Sequence, residues 1–279
     1  MSEAPPIGVA IGTIGATAAW WLESARRLEA AGYRAVWAWD HVMGRGDRSV
    51  PVLEQWTILA AAAGGTSRVG VGTFITNVVR RHPALVARMA GTLQAASDGR
   101  FSLGIGVGGF AGEHQAYGFA FPPVAERAAR LEEAVAVIRA LWTGETVTRP
   151  SPYYPLTEAI ARPPVVPAPP ILIGAGSMAG VRIAARAGDG WAAEQPAFED
   201  FGNAWLEALD AAGRGRSEMR LVLGFGGGRT GRDALDGSPW VTAPRDEWAR
   251  WHAAGADEVV VTARTPADVD ALVAAAERW

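Results

Sequence analysis

Apolar residues gather in short runs that alternate, from end to end, with stretches of helical period. The runs at 7–11, 35–39, 69–75, 101–106, 171–174, 190–193, 220–225 and 258–261 are nearly continuous in Val, Ile, Leu, Ala and aromatic residues. That is the pattern of strands buried on both faces of a parallel sheet. Between them, Ala18, Trp21, Ala25 and Leu28 recur at spacings of three and four, as do Leu85, Met89 and Leu93, and Leu131, Val135, Ile138 and Trp142. Each set predicts a helix with one apolar face. A last helix starts near Pro266 and carries Val269, Leu272 and Ala276.

Eight strand–helix units in strict alternation favour closure into a (β/α)8 TIM barrel over an open doubly wound sheet. The 279 residues suit one such domain spanning 1–279. The irregular stretch 149–170, rich in proline and carrying Tyr153-Tyr154, reads as a short insertion before the fifth strand. With Tyr153 and Tyr154 it is expected to form part of a pocket wall, and the low charge there favours an apolar substrate.

Composition narrows the chemistry. There is no cysteine, so disulfides, thiolate metal sites and cysteine nucleophiles are excluded. All 26 basic residues are arginine, which excludes a Schiff-base lysine and a Walker-type phosphate lysine. The four histidines lack zinc-motif spacing, so no metal is expected. A net charge of −3 gives no basic footprint for nucleic acid. No run approaches the ~20 apolar residues of a membrane span, and no signal peptide is evident at the start; the expectation is a cytoplasmic protein acting on a small molecule.

In such a barrel the βα loops carry the active site, so the residues after each strand matter most. They are Gly12-Thr13, Asp40-His41, Thr76-Asn77 with Arg80-Arg81-His82, the glycine run from Gly104 to Gly109 ending at Glu113, Gly174-Ala175-Gly176-Ser177, Glu194-Gln195, Gly226-Gly227-Gly228, and Thr262 with Arg264. The literal GxGxxG at Gly104, Gly106 and Gly109 is not a dinucleotide fingerprint, because no helical pattern opens between Phe110 and Pro123. A backbone surface against a flat ligand is the better reading. Gly174 to Ser177 lies between a strand and a helix start, which suits either a phosphate or an ordinary Ser cap. His41, at the rim, is the candidate general acid or base. His82 suits a helix cap or a phosphate contact equally. Trp39 and Trp191 end strands and are candidates to line a pocket.

Several of these segments resemble the luciferase-like flavin and deazaflavin oxidoreductases. They are residues 32–37 leading to Asp40-His41, 81–88, Thr92-Leu93, 99–106, Glu113, 116–118, 142–145, 170–174 and 187–191. The Asp-His pair is similar to the branch that uses coenzyme F420. The resemblance implies a (β/α)8 barrel, hydride transfer between the deazaflavin and a small organic substrate, and His41 as proton donor or acceptor. It also implies that Asp40, Val107 and Gly108 contact the coenzyme and that a non-proline cis peptide at Phe74-Ile75, followed by Thr76, forms a bulge behind its ring. Gly174, Ala175, Gly176 and Ser177 would hold the phosphate, and Glu113 belongs to the family pattern, as a catalytic residue or in loop closure. Sugar-phosphate dehydrogenases of the branch carry a glutamate where Gly109 stands and use lysines for phosphate; here Arg264 is the substitute candidate. The alternatives are an FMN-dependent monooxygenase supplied by a separate reductase, and a catalytically silent flavin-binding protein. Homodimers are common among such relatives.

Overall fold

The apolar runs become parallel strands because helices cover them outside and one another's side chains fill them inside. The computed structural model describes residues 6–226, 235 and 237–279. Its strands are β1 (Ile7–Ile11), β2 (Ala35–Ala38), β3 (Gly70–Thr73), β4 (Thr76–Asn77), β5 (Phe101–Gly106), β6 (Val147–Arg149), β7 (Leu156–Ala159), β8 (Ile171–Gly174), β9 (Gly190–Glu194), β10 (Arg220–Phe225) and β11 (Glu258–Ala263). Their order is β3-β2-β1-β11-β10-β9-β8-β5-β4, and pairing of β3 with β5 closes the ring. The result is an α/β TIM barrel of eight parallel positions, with β3 and β4 sharing the third. β6, just before the proline-rich insertion, and β7, within it, form a separate antiparallel hairpin, a pairing that the irregular sequence did not suggest.

The helices are α1 (Ala18–Ala30), α2 (Gln55–Gly65), α3 (Pro83–Ala96), α4 (Ala111–Tyr117), α5 (Val124–Trp142), α6 (Met178–Ala187), α7 (Gln195–Ala211), α8 (Pro239–Thr242), α9 (Pro244–Ala253) and α10 (Pro266–Ala276). Thr17 caps α1, which buries Trp21, Ala25 and Leu28; Thr265 and Asp268 form a reciprocal capping box on α10. Leu131, Val135, Ile138 and Trp142 of α5 are all buried as their spacing predicts. On α3 the expected face is rotated: Val86, Ala90 and Leu93 are buried while Leu85 is 54% exposed. The helix α4 lies in the segment from Phe110 to Pro123 that showed no helical pattern, because seven residues are too few to reveal a period.

Trp37 fills the inside of the barrel. It is 1% exposed and packs with Ala10, Ala35, Leu172, Ala192, Val222 and Val260. So large a ring needs the facing positions empty: a Cβ on Gly72 would stand 2.3 Å from Trp37 Cζ3, and one on Gly8 2.6 Å from its Nε1. Below it, Glu258 pairs with Arg220 at 2.8 Å. Gly227 and Gly228, placed at the rim by sequence, lie outside the described residues. Among the described residues no helix is long and apolar enough to cross a membrane.

Gly72→Ala forces its methyl group into the Trp37 ring, and overpacking of this kind costs roughly 1–3 kcal/mol. The expected result is a lower guanidinium midpoint with an unchanged slope; an unaltered midpoint would show that Trp37 can move aside freely.

Candidate active site

The strand ends open on a cavity of about 1120 Å³, lined among the described residues by the ends of β1, β2, β4, β5, β8, β9 and β11. His41, just beyond β2, faces it, and its Nδ1 lies 2.8 Å from Glu113 Oε1. Glu113 comes from α4 and is 2% exposed. Its other oxygen accepts from Arg80, which also donates to the Asp40 carbonyl. The Asp40 carboxylate is gripped by Arg81 through both oxygens, at 2.8 and 3.0 Å, and also accepts the Asn77 N–H at 2.8 Å. Arg81 reaches on to Glu54 at 2.8 Å. Buried charges of both signs are thus joined in one chain of contacts, which is the condition for keeping them out of water.

This environment acts on His41. Burial lowers its pKa below the ordinary 6.5; the Glu113 carboxylate opposes that shift, and Arg45 and Arg80 add to it. Above that lowered value the ring is neutral. With Nδ1–H donated to Glu113, the lone pair resides on Nε2. Phe110 covers the ring edge-on at 5.2 Å, and the Arg45 guanidinium lies 3.7 Å from the centre of the Phe110 ring.

The cavity floor is the segment between β3 and β4, where the Phe74-Ile75 peptide is cis, at the position that the resemblance implied. Phe74 meets Trp37 edge-on at 5.8 Å. Ile75 occupies space that side chains on the glycines around it would need: a Cβ on Gly104 would lie 2.8 Å from Ile75 Cδ1, and one on Gly174 2.7 Å from Cγ1. Gly104 therefore makes room for the Thr73 carbonyl and for Ile75 rather than for a flat ligand, which corrects the reading of the glycine run at its start, and Gly174 makes room for Ile75. Further along, the Val107 and Gly108 carbonyls accept from Arg127, at 3.1 and 2.5 Å. The Thr76 hydroxyl donates to Gln55, which in turn donates to the Ala38 carbonyl.

Asp40, His41, Phe74, Ile75, Thr76, Val107, Gly108, Glu113, Gly174, Ala175 and Gly176 all line this one cavity. Ser177 does not; it is exposed and caps α6 through the Gly180 N–H at 3.4 Å. His82 likewise caps α3, accepting from the Ala84 N–H at 3.2 Å. Trp39 lines the cavity, whereas Trp191 is fully buried between sheet and helices and donates to the Ala175 carbonyl. Tyr153 and Tyr154 lie elsewhere, Tyr154 packing edge-on against His82 at 5.3 Å, so the insertion does not form the wall expected of it. The lining is mixed, with Arg45, Arg80, Glu113, Glu194 and Arg264 set beside Trp39, Phe74, Ile75, Val107 and Phe110. Sequence order put Arg80 and Arg81 at the rim without a role. Nothing in it signalled Arg127, or His114, which is buried against Asn77 at 2.8 Å. Among the described residues no group of three His, Cys, Asp or Glu side chains could hold a metal ion.

A family model described as luciferase-like monooxygenase matches residues 5–226. The chain belongs to that family. Among curated relatives, the F420-dependent hydroxymycolic acid dehydrogenase of Mycobacterium tuberculosis is 37% identical over 191 residues, covering 68% of this chain and 52% of that protein. The F420-dependent glucose-6-phosphate dehydrogenase of Beutenbergia cavernae is 35% identical over 202 residues, covering 70% and 58%. The chain therefore spans little more than half the length of these relatives. Among solved structures, an F420-dependent secondary alcohol dehydrogenase in complex with an F420-acetone adduct superposes with a TM-score of 0.84, covering 99% of this chain and 98% of that one. At 21% identity that likeness is one of fold.

Asp40→Ala leaves the Arg81 guanidinium without its forked partner and the Asn77 N–H unpaired. Breaking a buried ion pair from one side costs roughly 3–5 kcal/mol, so the denaturant midpoint of the variant should fall accordingly. A loss below about 1 kcal/mol would mean that water replaces the carboxylate, as at an exposed pair.

Proposed function

We propose that this protein is a coenzyme F420-dependent oxidoreductase in which His41 exchanges a proton with a small alcohol or carbonyl substrate. The observation that carries this reading is the His41–Glu113 pair, which presents a neutral imidazole to a cavity floored by Phe74 and Ile75. Curated relatives named as F420-dependent dehydrogenases support the choice of coenzyme.

The residues present fit that coenzyme. The cavity, about 1120 Å³, exceeds the usual range for one drug-sized ligand and so has room for a tricyclic ring, its tail and a substrate. A Cβ on Gly109 would meet nothing within 4 Å, so this part of the wall is open. Phe74, Ile75 and Val107 would back the ring. Ser177 satisfies the Gly180 N–H, the Ala175 N–H donates to the Ala192 carbonyl, and the Gly176 N–H would meet a phosphate at the start of α6. When bound, the deazaflavin supplies a ring carbon that gives or takes a hydride.

The chain's own residues handle the proton. Nε2 of His41 accepts it from a substrate hydroxyl, or returns it to a carbonyl oxygen in the reverse direction. Glu113 is a positioning residue that fixes the tautomer and steadies the imidazolium. Arg80 holds Glu113 in place. Asp40, committed to Arg81 and Asn77, acts in the same indirect way rather than on the ring.

Titration of the purified protein with F420 and, in parallel, with FMN tests the coenzyme: quenching at lower F420 concentrations supports the proposal, and preference for FMN overturns it. His41→Asn should retain F420 binding while turnover falls roughly 10²–10⁴-fold; undiminished turnover would remove His41 from the mechanism. In the direction that needs a base, kcat/KM should fall as pH drops through the lowered His41 value, below 6.5. Glu113 raises that value, so Glu113→Gln should move the acid limb further down. A limb that stays put or moves up would deny Glu113 its positioning role.

A further inference from the structure

Phe110 opens α4 in a backbone conformation that aromatic residues avoid. Its φ of 58° and ψ of 67° are left-handed, a region that glycine enters freely and bulky side chains rarely. It is also the N-cap of α4, where Ser, Asp or Asn would offer the helix an acceptor, and its ring makes no capping hydrogen bond. The first turn is closed by backbone alone, the Phe110 carbonyl accepting the Glu113 N–H at 2.9 Å. On local grounds the position suits glycine or asparagine.

Burial does not offset this misfit. Phe110 is 47% exposed and belongs to neither apolar cluster of the interior. Its contacts lie in the site instead. His41 meets the ring edge-on at 5.2 Å, the Arg45 guanidinium covers it 3.7 Å from its centre, and the rest is bare and lines the cavity. Backbone strain of this kind persists where the side chain it places serves a ligand. A half-bare phenyl ring gains by covering apolar surface and has no hydrogen bond to offer. Its distance from His41 sets that surface within reach of a group attached to the carbon whose oxygen His41 serves. We propose that Phe110 determines substrate specificity: its bare ring surface takes an apolar arm flanking the reacting hydroxyl or carbonyl, so that the protein selects substrates with such an arm over short ones of the same chemistry. This rests on the assignment of His41 to the substrate oxygen.

The test is saturation-transfer NMR on the whole protein, with and without F420, titrating isopropanol against 2-hexanol, which extends one arm by a propyl unit. The wild type should bind 2-hexanol roughly tenfold more tightly, as partial burial of the added methylenes implies. In Phe110→Asn, whose side chain suits both the left-handed backbone and the cap, the two dissociation constants should come within about threefold. Phe110→Leu, which keeps an apolar side chain, should retain most of the preference. The thermal midpoint of Phe110→Asn should be no lower than that of the wild type, because the ring is not part of the core. Absence of a preference in the wild type overturns the proposal, as does one undiminished in Phe110→Asn. A fall of several degrees in that midpoint makes Phe110 a structural residue and overturns it too. Failure of the protein to quench F420 fluorescence, with the preference present in the wild type and lost in Phe110→Asn, overturns the coenzyme reading and leaves Phe110 as the site of the apolar arm.

Discussion

Between Gly72 and Thr76 the third barrel position takes four steps, while its neighbour β5 takes three from Ser102 to Ile105. The surplus residue makes a bulge, which bends the strand and re-aims its side chains where they would otherwise continue the ladder. Phe74 consequently turns onto Trp37 inside the barrel, and Ile75 fills the space left by Gly104 and Gly174. The glycines of two neighbouring strands, the plug under the cavity and its floor are therefore consequences of one register mismatch.

Above that floor, the site is organised by charge. Arg80 stands between the Asp40 carbonyl and the Glu113 carboxylate, and Glu113 holds His41. These groups come from β2's end, the loop after β4, and α4, which are distant in sequence. Each would be costly to bury alone, and together they tolerate burial because every charge has a partner. The same burial lowers the His41 pKa, so packing and proton chemistry are aspects of one arrangement.

How well the site could be read from sequence followed the range of the contacts. Asp40-His41 and Gly174 to Gly176 were legible because position after a strand is a local property, and barrel geometry turns it into position at the rim. The Ser177 and His82 caps were legible as one of two options, since a cap needs only the next few residues. Tyr153 and Tyr154 misled because a loop's direction depends on what it packs against, and the insertion packs on α3 and α5. The length of α4 hid it, and with it the placement of Glu113 beside His41.

By itself the sequence determined the barrel, since the alternation of doubly buried strands with one-faced helices allows few other closures. It also determined what chemistry is absent: without cysteine or lysine, neither a thiolate nor an amine can serve here. Only the tertiary structure decided which rim residues act together. The grip of Arg81 on Asp40 and the link from Arg80 through Glu113 to His41 depend on side chains from separate loops converging to hydrogen-bond distance. Such distances arise from the twist and closure of the whole sheet, which no local pattern of residues encodes.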